Sequence, residues 1–100
     1  YGVEVIDSLV KKSQHILKNK KSIHILQKDG SHGLKEKAPF DRILVSAAFK
    51  EIPAHLFEQL NEEGVLVCQV KNSIFQFKKL EGKIKSKEFE GFVFVPVIKV

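Results

Sequence analysis

The sequence predicts an α/β domain whose sheet is parallel in its first part and ends in an antiparallel hairpin. Two observations lead there. Short β-rich runs alternate with stretches of helical apolar periodicity, a pattern that pairs strands in parallel through right-handed crossovers. Near the C-terminus the alternation stops, and two strand-like runs follow one another around a short turn containing glycine.

Val3 and Val5 mark a short first strand that ends near Glu4-Val5. Asp7 stands where an N-cap would, ahead of Leu9, Val10, Ser13, Ile16 and Leu17. With Ile6 these positions form an i, i+3, i+4 stripe, so a helix is expected from Asp7 to about Lys18, ended by Asn19 and the lysines. Ile23-His24-Ile25-Leu26 reads as the second strand, with His24 alternating outward. Lys28 to Gly33 is turn chemistry, and Lys35 to Pro39 a polar linker. Arg42-Ile43-Leu44-Val45-Ser46 is a continuous apolar run, as expected of a strand buried on both faces.

Pro53 suits the first turn of a second helix, since its missing N–H is unpaired there anyway. Leu56, Phe57 and Leu60 give that helix its apolar stripe, and Gly64 is placed to end it. Val65 to Val70 is the next strand. Ser73 to Leu80 and Lys83 to Phe89 form the hairpin around Glu81-Gly82, and Phe92 to Val95 a final strand at an edge, marked by Pro96.

One hundred residues, 43% of them hydrophobic, bound a single domain or part of one. Such a chain buries only about 60–65% of its unfolded surface. The formal charge of +5 comes from 17 basic and 12 acidic residues, the basic ones spread along the chain. Their densest run, Lys18-Asn19-Lys20-Lys21, falls at the expected end of the first helix, where cations favour the negative end of the macrodipole. A nucleic-acid face would interleave basic clusters with aromatics, so no nucleic acid is expected as partner. No apolar run approaches the ~20 residues of a membrane span, so no membrane is expected either. The single cysteine, Cys68, forms no internal disulfide and fits a reducing, cytoplasmic compartment. The chain contains no methionine, and its first residues already look like strand, so its N-terminus reads as a truncated boundary.

In open α/β sheets ligands sit beyond the carboxyl ends of the strands. Glu4 closes the first strand, and its carboxylate can accept two hydrogen bonds from the vicinal hydroxyls of a ribose. An ordinary solvent-facing glutamate fits the same position. Asp29-Gly30 follows the second strand. Aspartate there can accept from an adenine amino group while glycine lets the backbone approach the ring, although Asp-Gly is also a common turn pair. The two together, each just past a neighbouring strand, carry more than either alone. Asp41, at the amino end of the third strand, reads as structural. Ser46-Ala47-Ala48 ends that strand with small residues that leave room for a ligand or for close helix packing. His15, His24, His32 and His55 lack metal-ligand spacing, and Cys68 reads as a small buried hydrophobe. A glycine-rich turn after a first strand, which a nucleotide-type ligand would require, is missing.

Tyr1-Gly2-Val3-Glu4-Val5, Asp29-Gly30-Ser31-His32-Gly33 and Ala38-Pro39-Phe40-Asp41 running through Ala47-Ala48 resemble the later segments of the protein-L-isoaspartate O-methyltransferase family. The likeness continues through Ile52-Pro53, Glu58-Gln59-Leu60, Gly64 to Val67 and Phe94-Val95-Pro96. It departs at Glu63-Gly64, where paired glycines are usual, and at Gln69-Val70, where proline usually precedes the valine.

The resemblance implies part of a Rossmann-like class I fold that uses S-adenosylmethionine, lacking its first, central strand and the Gly-x-Gly loop. It implies methyl transfer to the carboxyl group of isoaspartyl residues in damaged proteins. A cofactor site of Glu4, Val5, Asp29 and Gly30 follows from it, with Glu4 on the ribose hydroxyls and Asp29-Gly30 at adenine. In that fold the missing strand lies between the strands ending at Glu4 and near Ser46, which leaves a gap of about 10 Å, twice the usual spacing. The chain is therefore expected to be poorly stable and inactive alone, unless an N-terminal piece comes from the same gene or another chain. The alternative is a non-catalytic or split methyltransferase-like binding protein.

Overall fold

The computed structural model describes residues 1–90. The strand expected at Phe92 to Val95 lies outside them. The chain divides into two compact units, Tyr1–Leu34 and a second that begins at Lys35.

In the first unit β1 (Gly2–Glu4) pairs in parallel with β2 (Ile25–Gln27), in the register Gly2↔Ile25, Val3↔Leu26 and Glu4↔Gln27. The helix α1 (Asp7–Ile16) makes the crossover. Three local expectations are corrected. The N-cap is Ile6, without a side-chain cap, and Asp7 is already helical. From the first turn its carboxylate pairs with Lys11 at 3.1 Å and faces the helix's positive end, so the acid serves the dipole instead of the cap. The helix stops at Ile16, and Leu17 to Ile23 continue as successive turns, with Lys20 N–H donating to Leu17 O at 2.9 Å and Ile23 N–H to Lys20 O at 3.0 Å. Asn19 has poor helical propensity, and the three clustered lysines add like-charge repulsion. Ile23 and His24 precede β2, and His24 stacks on Tyr1 with ring centroids 5.3 Å apart.

The second unit holds a four-stranded sheet in the order β3-β4-β5-β6. Here β3 (Phe40–Phe49) runs parallel to β4 (Leu60–Val70), and β5 (Ser73–Leu80) and β6 (Lys83–Glu90) add the antiparallel hairpin. The mixed sheet matches expectation, and the element between β3 and β4 does not. That helix, α2, is one turn, Ala54–Phe57, with Pro53 as its N-cap. Leu60 already belongs to β4 and pairs with Phe40, whose N–H donates to Gln59 O at 2.7 Å.

Gly64 therefore ends no helix. A Cβ on Gly64 would lie 2.7 Å from Asn61 O and 3.0 Å from Phe40 O, so glycine is required by close backbone approach at an irregular point of the β3–β4 pairing. Asp41 lies within β3, where its Oδ1 accepts from Asn61 Nδ2 at 2.9 Å. The presumed linker contains a 3-10 turn, Lys35–Lys37.

The core of this unit gathers Phe49, Leu56, Leu60, Leu66, Cys68, Val70 and Phe77. Leu66, Cys68 and Val70 alternate along β4, as one buried face demands. Phe77 meets Phe57 with centroids 4.9 Å apart. Cys68 is the small buried hydrophobe expected, and burial pushes its thiol up to about 11. The run in β3, expected to be buried on both faces, alternates. Ile43 and Val45 pack on the core, whereas Leu44 is 74% exposed.

Candidate functional site

The parallel register of the first unit places Glu4 and Gln27 side by side at the carboxyl ends of their strands. The main chains stay tied beyond the ladder: Lys28 N–H donates to Glu4 O at 3.0 Å, and Gln27 Nε2 donates to Val5 O at 3.3 Å. Gln27, which ties the two strands together beyond the ladder, is what reading the strands singly misses. The signal for it was the alignment of Glu4 with Gln27, which depends on a pairing register and not on local pattern.

The half-buried side chain of Glu4 turns back on its own loop, and its Oε1 accepts from Ile6 N–H at 3.1 Å. Among the described residues no hydrogen bond reaches its other oxygen. One oxygen is therefore anchored and the other is available, a suitable state for receiving a hydroxyl. Asp29 does the turn work that its pairing with glycine suggested. It caps the 3-10 turn Gly30–His32, its Oδ1 accepting from Ser31 N–H at 2.9 Å.

The two glycines of this loop differ. Gly33 has φ +70° and ψ −148°, a backbone region reserved for glycine, so the turn itself requires it. Gly30 carries no such demand. A Cβ there would meet Val3 Cγ1 at 3.7 Å, ordinary van der Waals contact, and the residue is exposed. The fold of this unit would accept a side chain at that position.

Glu4, Val5, Asp29 and Gly30 are thus brought together at one end of one parallel pair. Ser46, Ala47 and Ala48 belong to the other unit, inside β3, which runs on to Phe49 across an irregular stretch of its pairing with β4.

The family model described as protein-L-isoaspartate(D-aspartate) O-methyltransferase (PCMT) matches residues 1–100. The protein-L-isoaspartate O-methyltransferase of Helicobacter pylori (strain G27) is 38% identical over 105 residues, covering 98% of this chain and 50% of its own length. That of Methanococcus maripaludis (strain C5) is 35% identical over 101 residues, covering 96% of this chain and 48% of its own. The chain spans about half the length of the curated relatives it matches.

The fold also matches a Plasmodium falciparum crystal structure described as a protein-L-isoaspartate O-methyltransferase (PCMT) in complex with S-adenosyl-L-homocysteine. The TM-score is 0.84 at 26% identity, over 99% of this chain and 52% of that one. The fold and the family-model match over residues 1–100 lead to one assignment: the chain belongs to the protein-L-isoaspartate (D-aspartate) O-methyltransferase family and carries part of its class I methyltransferase fold.

Proposed function

We propose that the protein transfers a methyl group from S-adenosylmethionine to the carboxyl group of isoaspartyl residues in damaged proteins, with this chain holding the nucleoside end of the cofactor. The observation that carries the reading is the juxtaposition of Glu4 with the Asp29-Gly30 turn past the carboxyl ends of paired strands. Glu4 Oε2 accepts from the ribose hydroxyls, while the anchored Oε1 fixes the carboxylate's direction. Val5, held through Gln27, keeps the backbone after Glu4 in place. Gly30, with no fold-imposed reason to be glycine, admits the adenine ring beside the Asp29 turn.

The cofactor supplies an electrophilic methyl carbon on a sulfonium. The substrate carboxylate is already a nucleophile, so the transfer depends on alignment and needs no strong general base. None of the four site residues is such a base. The single cysteine, buried and with no internal partner, supports a reducing cytoplasmic setting.

Calorimetric titration of S-adenosyl-L-homocysteine into the full-length polypeptide tests the reading. Glu4→Ala, which removes a charged acceptor of two hydroxyls, is expected to weaken binding by about 10- to 100-fold. Methyl-ester formation on an isoaspartyl peptide is expected to fall in parallel at limiting cofactor, with the aspartyl peptide unmodified throughout. Unchanged affinity in Glu4→Ala, or equal methylation of the two peptides, would sink it.

A further inference from the structure

The net charge of the chain has one origin. Between Ser8 and Lys28 there are six lysines and no acid, a charge of +6, whereas the rest of the sequence holds 11 basic and 12 acidic residues and nets −1. The lysines are dispersed, as expected, and the acids are not. The fold gathers half of these six lysines. Lys18, Lys20 and Lys21, with His24, line a groove of about 310 Å³ whose apolar wall includes Leu17 and Ile23. Ile23 is 42% exposed, and the three lysines are exposed without an acidic partner among the described residues.

The groove is framed by hydrogen-bonded parts. Successive backbone hydrogen bonds shape Leu17 to Ile23, and Gln14 Nε2 ties α1 to β2 by donating to Ile25 O at 2.9 Å. It lies where α1 ends and β2 begins, at the opposite end of the parallel pair from Glu4 and Asp29.

We propose that this groove docks an acidic, apolar-containing polypeptide segment, separate from the cofactor site. A helix terminus needs a cation or two near its last carbonyls. It does not need an acid-free stretch of this length, nor an exposed isoleucine among the cations. Carboxylates satisfy the lysines, and an aliphatic side chain covers Leu17 and Ile23. Among the described residues the groove is lined by no Phe, Tyr or Trp, and the His24 ring in its wall is stacked by Tyr1, so these residues offer no free aromatic platform of the kind that holds nucleic-acid bases.

The test is fluorescence anisotropy on the full-length polypeptide with three labelled probes of equal charge. These are a peptide alternating Glu and Leu, a peptide alternating Glu and Ser, and a single-stranded oligonucleotide. The Glu-Leu peptide is expected to bind tightest and to weaken about tenfold or more as salt rises from ~50 to ~300 mM. The triple variant Lys18→Gln/Lys20→Gln/Lys21→Gln is expected to lose at least about tenfold, and Ile23→Ser to abolish the preference for Leu over Ser. A control on β6, Lys83→Gln/Lys85→Gln/Lys87→Gln, should bind like the parent. Circular dichroism confirms that each variant is folded, as exposed positions allow.

Tighter binding of the oligonucleotide, an equal loss in the control, or no binding at ~50 mM salt would each overturn the proposal. Titration with S-adenosyl-L-homocysteine in the same variants is expected to be unchanged, so failure of the groove and failure of the cofactor reading are told apart.

Discussion

At the scale of the residue, the two glycines of the Asp29 loop separate what the fold needs from what a ligand would need. Gly33 occupies φ +70°, and a Cβ there is strained whatever the space around it. Gly33→Ala is therefore expected to lower stability by about 1–3 kcal/mol in chemical denaturation. Gly30 has neither a positive φ nor a crowded Cβ site. Gly30→Ala should leave stability within about 0.5 kcal/mol and weaken S-adenosyl-L-homocysteine binding about tenfold or more. Destabilisation by Gly30→Ala with unchanged affinity would reverse the two roles. Cys68 gives a pH prediction of known sign. Its thiol titrates near 9.0 when unfolded and at about 11 when folded, so above pH 9 the unfolded state releases its proton first. Stability is then lost as pH rises from about 9 to 11, by roughly 2–3 kcal/mol from this group. Cys68→Ala should remove that part of the alkaline slope. An unchanged slope would show that the thiol ionises freely in the folded chain.

At the scale of the element, what was legible in the sequence was whatever local pattern decides. Strand, helix, strand in the first unit and the antiparallel hairpin in the second were readable because alternation, stripe and turn residues each act over a few positions. The one-turn helix α2 was not. Leu56, Phe57 and Leu60 fit a helical stripe, yet Leu60 is taken by pairing with Phe40, twenty positions away in sequence. The same long-range pairing explains Gly64, which looks like a helix stop and is a close backbone approach. For the candidate site, Glu4 and Asp29-Gly30 were readable from strand ends, while Gln27 and the anchoring of Glu4 required the register. The abrupt end of α2 is also secured from a distance, as Lys79 Nζ donates to Phe57 O at 3.4 Å and Leu60 O at 3.2 Å. Lys79→Met keeps most of the aliphatic stem and removes both bonds, and about 1–2 kcal/mol should be lost. Lys78→Met, at an exposed neighbouring position, should change little. A denaturation midpoint that moves for Lys79→Met, with an unchanged m-value, is the expected result. Equal midpoints for the two variants would remove Lys79 from the account of why α2 stops.

At the scale of the whole molecule, both units present a sheet edge that is unpaired among the described residues. β1 pairs only with β2, and β3 only with β4. On β3 the edge is long, and Leu44 at its middle is 74% exposed, an arrangement that isolated domains usually blunt with charge, proline or a cover. The curated relatives have about twice this chain's length, and we predict that a strand from their additional half pairs with this edge and helps cover Leu44. Leu44→Lys distinguishes the two situations. In the 100-residue chain alone the substitution falls on exposed surface and should alter stability by no more than about 0.5 kcal/mol, while improving solubility. Joined to the remaining half of a relative such as that of Helicobacter pylori, the same substitution is expected to bury an unpaired ammonium and to cost at least about 2–4 kcal/mol. The parent chain alone should lack a cooperative monomeric melt above about 60 °C and acquire one when the remaining half is supplied. Equal effects of Leu44→Lys in both contexts would mean that the β3 edge is a solvent edge in the mature fold. The exposed leucine would then call for a different partner.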